Sequence, residues 1–230
     1  MKQTLHYNVD PFDPAGHRLK IQLQMPKPKG KSQIVSLPSW IPGSYLVRDF
    51  SRHVETMRAW CGKKSLHPKK LDTSRWVIDD CNGPLNIEIT VYAWDLSVRE
   101  AHVDQSHAFF NGTSVFLMPE GFEHLPCTVR IAPPPHPLKW KAYTSMPPMA
   151  GRVKRNALGW FIAPNYDAVV DHPFELGNPQ VVSFKAGGAI HEMVFTGDAP
   201  NLDLKRIAKD SQRICEAQIE LFEPETKQAP

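Results

Sequence analysis

At 230 residues, with 41% hydrophobic and 22% charged residues, the chain has the composition of an ordinary soluble globular protein, large enough for one domain or for one domain and part of another. A formal net charge of +3, with Lys and Arg dispersed, argues against a nucleic-acid partner, and no apolar run approaches the ~20 residues that a membrane helix needs. The 22 prolines suit a β protein with many turns better than a helical one. Cys61, Cys81, Cys127 and Cys215 form no CxxC pair and match no zinc or redox spacing. With an amino terminus, MKQTLHYNVDP, that lacks an apolar signal core, they read as reduced thiols of a cytoplasmic protein.

In chain order, Leu5, Tyr7 and Val9 alternate with polar residues, as do Leu19, Ile21 and Leu23, and the Pro/Gly-bearing link Asp10–Gly16 makes the two runs a hairpin. Gln33–Leu37 predicts a short strand leading into LPSWIPGSYLVRDFSRHV (37–54). There Pro42–Gly43 predicts a tight turn, with the glycine free to take positive φ. Trp40 and Tyr45 are expected to be core residues on either side of it, and Arg48 and Asp49 each require a partner. Strands follow at Val54–Trp60, Arg75–Asp79 and Leu85–Trp94, the last with Ile87, Ile89, Val91 and Ala93 on one face. Asp95 and Arg99 in DLSVRE are expected to cross-pair with the Arg48–Asp49 charges.

His107–Phe110 and Thr113–Leu117 flank Asn111–Gly112, which predicts a hairpin, or a place where a ligand or another backbone comes close. PPPHP (133–137) is a stiff extended connector. Short strands are expected near Trp140–Tyr143, Gly159–Ala163 and Val181–Phe184, with Asp171, Pro173 and Gly177 in a junction turn. Beyond Gly187–Gly188, Ile190, Met193 and Phe195 suggest one more strand or hairpin. Asn201 is read as the N-cap of an amphipathic helix over 202–222, with Asp203 in its first turn. The polar, proline-bounded ending 223–230 carries no closing structure.

The residues offer no catalytic apparatus. His191–Glu192 opens a near miss to HExxH, but Phe195 stands where the second histidine belongs and the segment reads as a strand. His102 and His107, five apart, suit neither a helical ligand pair nor same-face neighbours on one strand. No GxSxG elbow, Walker loop or dinucleotide fingerprint occurs. No metal ligand and no cofactor are assigned to these residues.

SWIPGSYLVRDFSRHV resembles the opening signature of the glycyl aminopeptidase family, zinc metallopeptidases of the gluzincin type. VYAWDLSVREAHVD (91–104), AFFNGTSVFL (108–117), NYDAVVDHPFELG (165–177) and a helical segment ending near LFEP (221–224) are similar to family segments in the same order. The resemblance implies a mainly β, saddle- or sandwich-like N-terminal domain over 1–180. The start of a thermolysin-like catalytic domain, a hairpin and one helix, would follow over 181–230. Zinc, HExxH and often a PDZ domain belong to the part beyond, so the chain alone is expected to be inactive, forming one wall of the peptide cleft against its own catalytic domain. The motif residues are Trp40, Gly43, Tyr45, Arg48, Asp49, Asp95 and Arg99. Two substrate contacts are implied. Asn111 would lie near the peptide's amino group, or else simply form a turn. Glu175 would pair with the ammonium, or else remain a solvated charge. The alternative is a stand-alone binding module whose ligand face is lined by Trp40, Tyr45, Trp94 and Phe110.

Overall fold

The structure, a computed structural model, describes residues 3–41 and 43–222. In chain order its elements are β1 (Leu5–Asp13), β2 (Arg18–Met25), β3 (Gln33–Ser36), β4 (Val54–Cys61), β5 (Lys64–Leu66), β6 (Pro68–Lys70), β7 (Arg75–Ile78), β8 (Leu85–Tyr92), β9 (Ala101–Val103), β10 (Ala108–Phe110), β11 (Met118–Pro119), β12 (Cys127–Ile131), β13 (Lys141–Tyr143) and β14 (Trp160–Ala163). Helix α1 (Tyr166–Val170), β15 (Phe174–Gly177), β16 (Gln180–Ala186), β17 (Ala189–Phe195) and helix α2 (Leu204–Phe222) complete the chain. They divide into two compact units, residues 1–177 and 178–230.

The first unit holds three sheets. A seven-stranded sheet runs β14-β12-β1-β2-β8-β4-β5, and two four-stranded sheets run β13-β15-β10-β9 and β11-β3-β7-β6. Every contact between neighbours in these sheets is antiparallel except β1 against β12. The period-two reading holds: Leu5, Tyr7, Val9, Leu19, Ile21, Leu23, Ile87, Ile89 and Val91 are all buried in one continuous core. Tyr7 and Tyr166, both buried, donate their hydroxyls to the carbonyls of Leu117 (2.9 Å) and Phe116 (2.7 Å). Two paired phenols thereby anchor the segment after FNGTS, and burial pushes both well above the ordinary tyrosine pKa.

Several expectations are corrected. Asn111–Gly112 is not a hairpin turn. β10 pairs with β9 and β15, and residues 112–114 form one 3-10 turn capped by Asn111. Thr113–Leu117 is therefore not a strand. Gly112 is needed because a Cβ there would lie 2.7 Å from the Cα of Val170 and 2.9 Å from the carbonyl of Val169, so the reading of a close backbone approach is the one that applies. The junction turn is instead the short helix α1, capped by Asn165, followed by strand β15, which contains Gly177. Phe110 is fully buried, stacked on Phe174 at 5.2 Å, and cannot line a ligand face. Gly43 has φ 79°, as the turn requires, while Pro42 lies outside the described residues.

In the second unit, β16 and β17 form a hairpin closed by Gly187–Gly188 at φ 55° and 87°. The cap of α2 is Asp203, whose Oδ1 accepts from Arg206 N at 3.0 Å, rather than Asn201. His191 and Glu192 sit on β17, so the near miss to HExxH has no helix to present it. Residues 223–230 lie outside the described residues.

Candidate functional site

Two groups of side chains stand out in the first unit. One is a cleft of about 570 Å³ where three sequence segments converge: Trp40 and Ile41 from SWIPG, Asn111 and Thr113 from the 3-10 turn, and Tyr166, Asp167 and Asp171 from α1 and its end. Asn111 Oδ1 accepts from the Thr113 backbone N–H (3.1 Å) and hydroxyl (2.6 Å), so the side chain is fixed at the cleft wall. Trp40 Nε1 donates to the Ser44 carbonyl at 2.6 Å, which ties down the indole's polar edge while the residue stays 53% exposed. Tyr45, Leu46 and Val47 are also exposed. Trp40 and Tyr45 are thus not core residues. Residues 43–49 form no strand.

The expected charge pairing also differs. Among the described residues no ion pair joins Arg48, Asp49, Asp95 or Arg99 to a partner. Arg48 Nε donates to Ser44 Oγ (3.1 Å), and Asp49 stands at φ 43° at the start of a 3-10 turn over Phe50–His53. The buried charge there is Glu100, whose side chain is 2% exposed and lies 3.6 Å from Arg52 Nη2 and 3.8 Å from His53 Nε2, with no hydrogen bond to either oxygen. Burial, then Asp95, raises its pKa against the pull of Arg52 and Arg48. Its acidic position in VREAHVD gave no signal of this, because burial is a property of the fold.

The second group surrounds Glu175. The β9–β10 hairpin folds His107 back toward His102, with ring centroids 4.9 Å apart. Separation by five residues, which suits no single element, is thus bridged by the turn between two strands. Asp104 lies between them: its Oδ1 accepts from Ser106 N, Ser106 Oγ and His107 N, and its Oδ2 is 3.4 Å from His102 Nε2. Glu175, on β15, bonds His107 Nδ1 at 3.0 Å. Trp94 stacks on His102 at 4.8 Å, and His17 lies over Trp94 at 3.7 Å. Burial raises the Asp104 pKa but is outweighed by the Ser106 and His107 hydrogen bonds, which hold it far below the usual carboxylate range. The Glu175 hydrogen bond raises the His107 pKa, and burial lowers that of His102. Glu175 is not among the residues lining the Trp40–Asn111 cleft, so the two candidate substrate contacts belong to different surroundings.

Residues 6–178 match the family of the peptidase M61 N-terminal domain. The chain belongs to the peptidase M61 N-terminal domain family. An aminopeptidase N family protein from Idiomarina loihiensis shares 40% identity with this M61 domain chain, with a TM-score of 0.90 over 95% of the chain and 37% of the Idiomarina protein. The M61 chain thus spans little more than a third of that protein. An M1 zinc metallopeptidase from Deinococcus radiodurans, a mutant bound to a Tyr-Ser-Ala substrate, is 12% identical at a TM-score of 0.47, covering 98% of this chain and 54% of that one. The overlap at that level carries no argument about chemistry. No curated protein matches the M61 chain.

Proposed function

We propose that this M61 domain forms one wall of the peptide cleft of a zinc aminopeptidase-type metallopeptidase, with the zinc and its HExxH helix supplied by a catalytic domain of the same protein. The observation that carries the reading is the exposed apolar group of Trp40, Tyr45, Leu46 and Val47, of which Trp40 lines the cleft formed by the family's own segments. Apolar side chains grouped on a surface mark a contact, and the Idiomarina relative continues well beyond the matched part. Residues 181–230 are read as the start of that catalytic domain. A PDZ domain further on and a cytoplasmic location, for which the four free cysteines speak, complete the proposal.

Asn111 is assigned the contact to the peptide's amino end. Its Oδ1 already accepts from Thr113, so the amide N–H2 donates to the carbonyl of the peptide's first residue rather than receiving its ammonium. Glu175, bonded to His107, is assigned the positioning of the β9–β10 hairpin rather than an ammonium contact. Reading the gene beyond the codon for Pro230 is the first test: an HExxH on a helix supports the proposal, and a stop codon ends it. In the full-length protein, Asn111→Asp keeps the capping acceptor and is expected to lower kcat/KM on short peptides about tenfold, without changing Tm. Unchanged kcat/KM would remove Asn111 from the site. Tyr45→Ser with Val47→Ser is expected to weaken association between this chain and a separately produced catalytic domain. If the double substitution instead abolishes capture of a soluble ligand, the loop and Trp94 form the face of a stand-alone binding module.

A further inference from the structure

We infer that His102, Asp104 and His107 form a binding site for one divalent transition-metal ion, of the class represented by zinc. One potential ligand atom from each of the three lies within 4.8 Å of the others. The ligand set, two imidazoles and one carboxylate, is that of zinc and related borderline ions. Bonds of ~2.0–2.2 Å to one ion bring ligand atoms closer than 4.8 Å, so binding draws the His102 and His107 rings inward by a small side-chain rotation across the hairpin.

Three features fit the site to a metal beyond the mere nearness of the ligands. His107 Nδ1 is engaged by Glu175 at 3.0 Å, which leaves Nε2 as the ligand atom. A carboxylate on the far nitrogen of a ligating histidine fixes the ring and its tautomer and raises its basicity. Asp104 Oδ1 takes three hydrogen bonds from its own loop, fixing the carboxylate so that Oδ2, the oxygen nearest His102, is the one presented. His102 and His107 are buried and Asp104 half-buried, and Trp94 stacked on His102 closes one side. Three protein ligands leave a fourth position for water or for a group from a partner. The ion would lock the β9–β10 hairpin to β15 through Glu175.

The test is a titration of the EDTA-stripped 230-residue chain with zinc chloride, followed by calorimetry and by NMR of the histidine rings. The expected result is one ion per chain, with the ring signals of His102 and His107 moving and those of His6, His53 and His191 unmoved. His102→Ala and His107→Ala are each expected to weaken binding at least a hundredfold, and Glu175→Gln about tenfold, as outer-shell changes do. Absence of one-to-one binding at micromolar zinc overturns the proposal. So does binding that leaves the His102 and His107 rings unmoved, or that persists in both alanine variants. Because the ring signals are read on the unaltered chain, the result stands even where a variant fails to fold.

Discussion

At the scale of single residues, Gly112 shows how a sequence signal can be right for a reason other than the obvious one. Asn-Gly between apolar runs reads as a hairpin, yet the glycine does not take positive φ; it clears space for the backbone of α1. Gly112→Ala is therefore expected to cost about 1–3 kcal/mol, because the obstacle is main chain and cannot rotate away. A thermal melt would register a loss of ~2–4 °C per kcal/mol for a protein of this size; an unchanged Tm would mean that α1 can shift. The cysteines divide equally plainly. Cys127 is buried and its thiol is pushed up to about 12, and Cys81, also buried, is raised by the same cause. Cys61 and Cys215 are only partly buried. Alkylation of the native chain at pH 8, read by mass spectrometry, should mark Cys61 and Cys215 first and Cys127 last, since the thiolate is the reactive form. Early labelling of Cys127 would contradict its burial.

At the scale of elements, short pieces owe their existence to caps. α1 spans five residues, too few to be stable by propensity. It persists because Asn165 Oδ1 accepts from Ala168 N at 2.9 Å and because Tyr166 and Val169 are buried. Asn165→Ala is expected to destabilise the first unit by about 1 kcal/mol and to loosen the cleft wall around Tyr166. Amide exchange at Ala168 and Val169 would report it, and undiminished protection there would show that burial alone holds the helix. The alternation of β1, β2 and β8 was legible because it is written directly into the residues, but β1 runs on to Asp13, through part of the stretch read as a link, with a register shift between Asp10 and Asp13 that no alternation announces. The β9–β10–β15 arrangement was not legible, since strands of three or four residues carry too little period to distinguish from loop, and contacts across them span up to 68 residues, as between His107 and Glu175.

At the scale of the whole molecule, the buried charges set a pH dependence. Arg52 Nε donates to His53 Nε2 at 3.0 Å, a bond that only the neutral ring accepts. Burial first, then Arg52, lowers the His53 pKa from 6.5, with Asp95 opposing. The unfolded chain therefore takes up a proton at a higher pH than the folded one. Stability from this group is fully present above ~6.5 and is lost as pH falls below it. Glu100, 3.8 Å away with its pKa raised by burial first, acts in the opposite sense, its stability being lost as pH rises, so the two must be separated by substitution. His53→Gln keeps an acceptor for Arg52 and should flatten the fall in Tm between pH 7 and pH 5.5; a slope identical to that of the unaltered chain would rule His53 out.

The sequence by itself determined the class of the protein. Alternating apolar residues dictated the main sheets, the Gly-Gly turn and the 3.6-residue period dictated the terminal hairpin and helix, and five ordered segments pointed to the family. What only the tertiary structure decided was which side of the surface each functional residue occupies. Trp40 and Tyr45 look like core residues because they are large and aromatic, yet they are exposed. Phe110 looks equally available and is buried. His102 and His107 look unrelated, and a hairpin turn brings them to one place beside Asp104, with Glu175 behind. Periodicity is local and survives in the linear chain, whereas burial and the meeting of distant side chains follow from pairings between strands that no local pattern encodes.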